Sequence, residues 1–522
     1  MKQLQQRWMI VTLLCLILFF FQLGSLPLLD PDEPVYAQTA KEMLAAGDWL
    51  SPRIFGEVWF DKPPMYYWLV AGVTMLLGPT EWAARLPAAA MALGTVWLVY
   101  AFMKNRFGSA SAAASAVVLA TSLEFFYLAK GAVTDSTLTF FLTACLLAYW
   151  EKRIMLAYVL AALATLTKGP VGLLFPGAIL LLELLSRGDW RGFIKLQLPK
   201  GLLVYAAVAL PWYIAMYAVH GQVFVDTFLG MHNVTRFTSA EHDVSNVWTY
   251  FVPVLILGFF PWVTLLPQTV WLAWKEAQYE RRTLRFLLLW AAFIFIFFTI
   301  AKTKLVSYIL PMFPPLAMLV GWRLSRLWVR PVKQRAWAIA CGALHGLLGA
   351  GLIYGQTLMP ALAWGAFLAA GILLVTGAGA SWQIWRGGYQ RAWVTLAAGA
   401  SAFLLTLVLV LLPLAAPQFT AKEIAEDFKA NYDGASSVYV IKFLRPGFVY
   451  YTDASTEEVG TTLFHNKVDT RAVLQQMVSR QERAYFVLRL SDYRLLSEAE
   501  QKKLTVLSTR YEVLLLLKEG TL

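Results

Sequence analysis

The sequence predicts a polytopic α-helical membrane protein with a small soluble α/β domain at its C-terminal end. Of the 522 residues, 59% are hydrophobic and 15% are charged, whereas roughly a quarter of the residues of a soluble protein are charged. Long apolar runs separated by short basic segments continue to about residue 415. Beyond Gln418 the pattern changes to an alternation of strand-like and helix-like segments, which is typical of an α/β domain.

The first apolar run begins at Trp8 and ends at Leu26, which is close to the length of about 20 residues that a spanning helix needs. A basic start before an apolar run is also typical of a signal peptide. However, Pro27, Asp30 and Pro31 follow the run in place of a small-residue cleavage site. We therefore predict an uncleaved transmembrane helix.

Twelve more apolar runs follow, so we predict thirteen transmembrane helices. Lys168 divides a long apolar stretch in the region of the fourth to sixth helices. With a cytoplasmic N-terminus, every inner connection is basic and the short outer connections contain few cations, in agreement with the positive-inside rule. An odd number of spans then places the C-terminus outside. The predicted helices cover residues 8–27, 82–103, 109–128, 134–150, 154–167, 170–186, 201–219, 247–272, 285–301, 306–328, 336–354, 359–382 and 392–413.

Two domains are predicted from this pattern. The membrane domain covers residues 1–415 and includes a long outer loop, residues 28–80, with an amphipathic helix at its start. The outer α/β domain covers residues 416–522. Its expected helices are Ala421–Asn431 and Thr470–Arg480, and its expected strands are Ser437–Phe443, Ala484–Leu490 and Tyr511–Leu517.

Composition excludes several classes of function. The net charge of +12 does not indicate a nucleic-acid partner, because the basic residues are spread over many short loops. Cys15, Cys145 and Cys341 lie far apart within apolar runs, which predicts buried thiols and no disulfide framework or metal cluster. The sequence contains no Walker A motif, so the direct use of a nucleoside triphosphate is unsupported.

Three carboxylates, Asp30, Asp32 and Glu33, stand at the beginning of the long outer loop. Acids beside a membrane segment are costly to place and are commonly functional. They could instead cap the helix that follows and complement its dipole. One acid suffices for capping, so we predict that at least one of the three is catalytic. Tyr36 lies on the apolar side of the same helix, and Asp135, at the outer end of the fourth helix, has the same two interpretations.

Lysines recur at the outer ends of the predicted helices. Lys62 stands in the motif Asp61-Lys-Pro-Pro, Lys168 precedes Gly-Pro, and Lys302 and Lys304 precede Tyr308. Each lysine could merely extend its ammonium group to the membrane surface. Together, in a protein whose other cations are mostly on the inner side, they indicate an anion site, because lysine is a compact point charge suited to phosphate.

The outer loop at residues 220–247 contains His232 and Arg236. A histidine followed four residues later by an arginine could coordinate a metal together with a carboxylate from elsewhere, or it could bind phosphate. A single loop histidine is also commonly just a hydrogen-bonding residue. The sequence leaves these alternatives open.

Acids, lysines and aromatic surroundings on one side of a membrane suit a lipid-linked phosphate substrate. The lysines would neutralise a phosphate leaving group as charge develops on it. A carboxylate would orient or deprotonate the incoming acceptor. A polyprenyl-phosphate sugar would supply the energy of transfer itself.

Six short motifs contain these residues, namely Asp32-Glu-Pro-x-Tyr36-Ala, Asp61-Lys62-Pro-Pro, Arg85-Leu-Pro, Thr134-Asp135-Ser, Lys168-Gly-Pro and Lys304-Leu-x-Ser-Tyr308-x-Leu-Pro. As a set they resemble the bacterial aminoarabinose–lipid A transferases and the related protein mannosyltransferases of the GT-C fold. The resemblance covers essentially the whole chain. The motifs are specific to this superfamily together, although none of them is specific alone.

The resemblance implies an inverting transfer of 4-amino-4-deoxy-L-arabinose from undecaprenyl phosphate to a lipid A phosphate, on the periplasmic face of the bacterial inner membrane. It implies that Asp32 and Asp135 are the catalytic acids and that Glu33 and Tyr36 position substrate. The groups expected around the donor phosphate are Lys62, Arg85, Lys168, Arg236, Lys302, Lys304 and Tyr308.

In the aminoarabinose transferases a metal lies between the acid of the acid-Lys-Pro-Pro motif and a later loop histidine. The resemblance therefore implies a zinc-like divalent ion between Asp61 and His232. The chain departs from the family pattern at two positions, because the shorter Asp61 replaces the usual glutamate and Val35 stands where a basic residue is common. The loss of a basic group in the donor site could indicate a different sugar.

The leading interpretation is a monomeric glycosyltransferase whose partners are a polyprenyl-phosphate sugar, lipid A and membrane lipids. A relative that glycosylates a protein or another glycolipid is the nearest alternative. A transporter or lipid flippase is a different class, but transporter sites usually lie near the bilayer midplane, whereas the polar residues here collect at one face. A structural anchor for the C-terminal domain would leave the outer acids and lysines unexplained.

Overall fold

The computed structural model describes residues 2–235, 247–276, 280–459 and 470–520, without the side chains of residues 2–5, 229 and 232–234. The chain divides into two compact units. The helical unit comprises Met1–Leu23, Phe60–Tyr66 and Arg85–Leu411. The loop–sheet unit comprises Gly24–Trp59, Tyr67–Ala84 and Leu412–Leu522. Most of the long outer loop therefore belongs with the C-terminal residues.

Apolar sequences form helices throughout the first part of the chain. The longer α-helices before residue 221 are, within the described residues, α1 (Lys2–Cys15), α2 (Asp32–Ala46), α3 (Met65–Leu77), α4 (Glu81–Ala120), α5 (Leu123–Ala129), α6 (Asp135–Trp150), α7 (Ile154–Lys168), α8 (Val171–Arg187), α9 (Trp190–Lys195) and α10 (Leu198–His220). Further α-helices of the helical unit are Phe251–Gly258, Leu266–Lys275, Arg281–Ile300, Phe313–Val329, Arg335–Gly355, Ala363–Trp385 and Tyr389–Thr406.

By length and composition, six helices of the described residues can cross a membrane, and a seventh span is added if one bent pair of helices counts as a single span. Shorter apolar helices are Gln6–Phe20, Met65–Leu77 and Ile154–Lys168. The predicted polytopic helical membrane fold is thus confirmed, whereas the number of thirteen spans stays a prediction. The predicted segment 82–103 and the first part of 109–128 share α4, which Gly108 interrupts with a φ of 83°, and the rest of 109–128 lies mostly in α5.

The prediction of one continuous helix over residues 247–272 is wrong. The chain bends by 107° between the helices Phe251–Gly258 and Trp262–Lys275. Pro261 stands in the break, and a proline lacks the N–H group that a continuing helix needs. An apolar run alone gives no sign of such a bend.

Glycine permits close helix packing in the helical unit, as Gly172 and Gly321 show. A Cβ atom at Gly172 would lie 2.1 Å from the backbone nitrogen of Thr165, so α7 and α8 can approach only without a side chain there. A Cβ atom at Gly321 would lie 2.1 Å from Oγ of Ser115. Small residues are the usual means by which membrane helices pack closely. The three cysteines are buried and free, as predicted.

The loop–sheet unit contains a two-stranded hairpin and a five-stranded mixed sheet. In the hairpin, β1 (Arg53–Ile54) pairs antiparallel with β2 (Glu57–Val58). The sheet has the order β4-β3-β5-β7-β6. Its strands are β3 (Ser437–Ile441), β4 (Glu457–Val459), β5 (Ala484–Arg489), β6 (Leu504–Arg510) and β7 (Val513–Lys518), and its longer helices are Lys422–Asn431, Arg445–Thr452 and Thr470–Ser479.

Strand β3 pairs in parallel with β4 and β5, and β7 pairs antiparallel with β5 and β6. The buried core of this sheet includes Phe428, Phe448 and Tyr485. The three predicted strands correspond to β3, β5 and β7, whereas β4 and β6 are missing from the prediction. Strand β6 lies at the sheet edge and most of its side chains are at least partly exposed, so its sequence shows no apolar run.

Candidate functional site

Asp135 and Lys168 form a partly buried ion pair at adjacent helix ends. Asp135 is the first residue of α6, and Lys168 is the last residue of α7. Lys168 Nζ lies 2.7 Å from Asp135 Oδ1, and the two side chains are 16% and 9% exposed. An acid at a helix N-terminus and a base at a helix C-terminus both complement the helix dipole. The capping interpretation of Asp135 is therefore compatible with its place in this pair.

Two further groups gather around Lys168. Its ammonium group lies 5.0 Å from the ring centroid of Tyr308, in a position suited to a cation–π contact. Tyr308 packs at 5.0 Å between ring centroids against Phe298. Asp61 also lies within electrostatic range of Lys168. An aromatic wall and two carboxylates thus surround one ammonium group.

Asp61 and Lys62 form a second ion pair immediately before α3. Lys62 Nζ lies 2.7 Å from Asp61 Oδ2, and each side chain is 14% exposed. The next two residues, Pro63 and Pro64, are buried and fix the backbone that precedes the helix. The helical unit therefore brings together five of the residues predicted from sequence, namely Asp61, Lys62, Asp135, Lys168 and Tyr308.

Lys302 and Lys304 occupy the short connection that leads to Tyr308. Lys302 is exposed, whereas Lys304 is only 4% exposed. Burial lowers the pKa of Lys304, and the charge of Lys302 lowers the same pKa further. Within the described part of the chain, the side chain of Lys304 has no hydrogen bond or ion pair. A buried ammonium group without such a partner is costly. Binding of an anion would relieve that cost.

Arg85 binds the end of the first helical segment. It is buried, and its Nη1 donates a 3.1 Å hydrogen bond to the carbonyl oxygen of Leu23. Nearby, Lys130 Nζ donates a 2.6 Å hydrogen bond to the carbonyl oxygen of Phe21. Burial, followed by the charge of Arg85, lowers the pKa of Lys130 to about 8. Arg85, which the sequence predicted to bind the donor phosphate, thus has a main-chain partner in the structure.

The acids of the long outer loop lie in the loop–sheet unit. Asp30 is buried, and its carboxylate accepts hydrogen bonds from the backbone N–H groups of Ala421 and Gly447. Glu33 is also buried, and its Oε2 accepts a 2.8 Å hydrogen bond from the N–H of Leu29, just before α2. Two of the three acids therefore accept hydrogen bonds from main-chain N–H groups. Asp32, in the first turn of α2, is the exposed acid of the three.

Other predicted residues are described in part or not at all. Tyr36 packs against Tyr67 with 5.8 Å between ring centroids. His232 lies in the helical segment Val225–Thr235, but its side chain is outside the described residues, and Arg236 is outside them entirely. The described residues contain no group of three or more His, Cys, Asp or Glu side chains arranged to hold a metal. The zinc-like ion therefore stays a prediction.

Glu124 is a buried acid that the sequence analysis missed. It lies in α5 with 4% exposure, and neither carboxyl oxygen has a hydrogen-bond partner within the described part of the structure. It interacts electrostatically with Asp135. The helix residue Gly258 leaves room for it, because a Cβ atom there would lie 2.3 Å from Glu124 Oε2. A single acid inside the aromatic run Leu123–Ala129 was the available signal.

The chain is similar in sequence to a protein family and to individual proteins. A family profile described as dolichyl-phosphate-mannose-protein mannosyltransferase matches residues 61–214. The chain is 30% identical over 426 residues to the undecaprenyl phosphate-alpha-4-amino-4-deoxy-L-arabinose arabinosyl transferase of Pectobacterium carotovorum subsp. carotovorum, a match that covers 76% of this chain and 74% of that protein. It is 31% identical over 339 residues to an uncharacterized protein of Aquifex aeolicus, which covers 63% of this chain and 66% of that one.

Solved structures share the fold. The crystal structure of ArnT from Cupriavidus metallidurans bound to undecaprenyl phosphate matches with a TM-score of 0.80 and 23% identity, over 98% of both chains. The apo oligosaccharyltransferase of Archaeoglobus fulgidus matches with a TM-score of 0.55 and 12% identity, over 94% of this chain and 70% of that one. These similarities confirm the predicted GT-C type of membrane fold.

Proposed function

The chain belongs to the family of the undecaprenyl phosphate-aminoarabinose arabinosyl transferases, and we propose that it transfers 4-amino-4-deoxy-L-arabinose from undecaprenyl phosphate to a phosphate group of lipid A. Membership makes the chain a glycosyltransferase that uses a polyprenyl-phosphate-linked sugar. The names of the Pectobacterium relatives support the sugar and its carrier. The sequence motifs, through their resemblance to lipid A transferases, support the acceptor.

The observation that carries the proposal is the cluster of Asp61, Lys62, Asp135, Lys168 and Tyr308. Each lysine is already paired with a carboxylate at 2.7 Å, so the two pairs together are neutral. An anionic phosphate would bind to such a cluster by taking a share of both ammonium groups, and the buried Lys304 would add a third positive charge. The transfer breaks the bond between the sugar's anomeric carbon and a phosphate oxygen. Fixed cations stabilise the charge that develops on that oxygen.

Asp32 is proposed to act on the acceptor. A phosphate monoester is already anionic near neutral pH, so a lipid A phosphate needs orientation more than it needs a base. A hydroxyl acceptor would instead require Asp32 to remove a proton. The exposed position of Asp32 in the first turn of α2 leaves it accessible for either role.

No step of the proposed transfer uses a metal. Lys62 already holds the carboxylate of Asp61, and zinc usually takes three or four protein ligands, whereas Asp61 and His232 would supply two.

The proposed location is the bacterial inner membrane, with the reaction on the periplasmic face. The basic inner connections support that orientation.

Transfer by the full chain in liposomes tests the function. With undecaprenyl-phosphate aminoarabinose as donor, we expect labelled sugar on lipid A and none on lipid A from which the phosphates have been removed. Labelling of an added protein in place of lipid A would show that lipid A is not the acceptor. Transfer of a different sugar in preference to aminoarabinose would show that the proposed donor is wrong.

The proposed phosphate site is tested by Lys62→Met, with Lys333→Met as the control, because Lys333 is an exposed lysine in a basic connection. Loss of a hydrogen bond to a charged group costs about 1.5–3 kcal/mol, so the KM for the donor should rise about tenfold or more in Lys62→Met and stay unchanged in the control. An unchanged donor KM in Lys62→Met would show that the phosphate binds elsewhere.

A separate variant, Asp32→Asn, tests the acid. Full transfer by Asp32→Asn would show that Asp32 has no role in the mechanism.

A further inference from the structure

A polar cavity lies far from the site described above. Its volume is about 780 Å³, which is within the range of pockets that bind small ligands. Tyr149 and Trp150 at the end of α6, Ile154 at the start of α7 and Arg187 at the end of α8 line it. Asp135 and Lys168 stand at the other ends of α6 and α7. Helix α6 has 16 residues and therefore rises about 24 Å, so the cavity and the candidate active site are at opposite ends of these helices.

Cations outnumber acids in the cavity lining, which includes two acids, Asp189 and Glu280. The arginines of the lining are held by carboxylates. For example, Arg106 lies 3.0 Å from Glu151, and Arg187 lies 2.6 Å from Glu183. The cationic side chains of the lining are Arg106, Lys152, Arg187, Lys195 and Arg282.

The two lysines of the lining differ from the arginines. Lys152 and Lys195 are exposed at the cavity, and neither ammonium group has a hydrogen bond or ion pair within the described residues. They therefore supply positive charge that the protein itself does not balance. Arg282 also stacks on the face of Trp150 at 4.6 Å, which gives the cavity one aromatic and cationic wall.

The rim of the cavity carries apolar side chains suited to a bilayer interface. Helix α9 contributes Lys195 to the cavity, while its Trp190 and Ile194 are 70% and 79% exposed. Trp190 also stacks on Phe193 with 5.9 Å between ring centroids. Exposed tryptophan beside lysine is typical of the boundary between headgroups and acyl chains.

We propose that this cavity binds the headgroup of an anionic phospholipid, with the phosphate between Lys152 and Lys195 and the acyl chains beside Trp190 and Ile194. Basic pockets at helix ends are suited to anionic lipid headgroups. The exposed apolar rim favours a lipid over a soluble phosphate, because a free ion would have no use for Trp190 and Ile194. The lipid site is independent of the proposed transfer reaction.

Native mass spectrometry of the full chain, titrated with phosphatidylglycerol in detergent, tests the proposal. Each lysine near a phosphate contributes enough to change affinity about fivefold, so Lys152→Gln combined with Lys195→Gln should raise the Kd for phosphatidylglycerol at least tenfold. The matched control combines Lys275→Gln with Lys333→Gln, which removes the same charge from exposed lysines outside the cavity and should change the Kd less than twofold.

Four further measurements decide the source of the phosphate and the role of charge. Binding should weaken with rising salt, because exposed charges are screened, and Lys152→Arg combined with Lys195→Arg should retain it. Phosphatidylcholine should bind much more weakly than phosphatidylglycerol. An unchanged Kd in the glutamine variant, equal binding of phosphatidylcholine, or displacement of the lipid by millimolar inorganic phosphate would each overturn the proposal.

Discussion

Replacing Asp30 with alanine removes the acceptor of two buried backbone hydrogen bonds. Asp30 Oδ2 lies 2.9 Å from the nitrogen of Ala421, and Oδ1 lies 2.8 Å from the nitrogen of Gly447. The three residues belong to the loop–sheet unit, and they are far apart in the sequence. One carboxylate therefore joins the start of the long outer loop to two segments near the C-terminal sheet.

The size of the effect follows from these two bonds. Leaving a buried backbone N–H group without its acceptor costs about 1–3 kcal/mol, so the loss of both bonds costs about 2–6 kcal/mol. Burial raises the pKa of Asp30 well above its usual range, while both amide donors act in the opposite direction. Because this burial cost offsets part of the gain, we expect Asp30→Ala to cost about 3 kcal/mol. Asp30→Asn keeps one acceptor oxygen and should cost about half as much.

Hydrogen–deuterium exchange of the full chain, measured by mass spectrometry, locates this loss. Since 1.36 kcal/mol is a factor of ten, the amides of Ala421 and Gly447 should each exchange about tenfold faster or more in Asp30→Ala. Gly447→Ala should give the same result at Ala421, because its Cβ would lie 2.2 Å from Asp30 Oδ2. Gly371→Ala is the control, since a Cβ atom there meets nothing within 4 Å.

Unchanged exchange at both amides in Asp30→Ala would refute this reasoning. The double variant gives a second check, because the clash at Gly447 exists only while the Asp30 carboxylate is present. Gly447→Ala should therefore cost less in the Asp30→Ala background than alone. Strictly additive costs would show that the two residues act independently.

Two other substitutions test packing and charge. Gly258→Ala should destabilise the chain by about 1–3 kcal/mol through overpacking, because its Cβ would lie 2.3 Å from Glu124 Oε2. A Cβ atom at Gly346 meets nothing within 4 Å, so Gly346→Ala should leave the melting temperature unchanged or slightly higher. The Arg510 guanidinium lowers the pKa of Asp427 to about 2, so this ion pair stabilises the fold above the ordinary pKa of about 4 and loses its effect as the pH falls towards 2. Thermal unfolding should therefore show that Asp427→Asn is less stable than the unchanged protein at pH 6, and that the difference in melting temperature narrows on acidification. A difference that stays constant with pH would contradict this role of the ion pair.

Local patterns in the sequence predicted much of the fold. Apolar runs predicted the membrane helices, because burial of apolar side chains in a bilayer depends on composition over about 20 residues. An alternation of strand-like and helix-like segments predicted β3, β5 and β7. The edge strand β6 and the bend before Trp262 were missed, because the first buries few side chains and the second depends on a single proline within an apolar run.

The candidate site was predicted as residue types and not as contacts. Motif spacing selected Asp61, Lys62, Asp135, Lys168 and Tyr308, but no spacing indicated which acid would pair with which lysine. Packing of α6 against α7 made that choice. The same motifs could not separate a catalytic acid from a structural one.

The sequence alone determined that this protein is a helical membrane protein with acids and lysines at the ends of its helices, because hydrophobic runs and charge bias act over short stretches of chain. The tertiary structure decided which of those charges meet. Asp30 binds backbone amides that lie 391 and 417 residues away, and Lys168 meets an acid 33 residues away. Such contacts depend on how distant segments pack, and a buried charge needs a partner wherever packing places one.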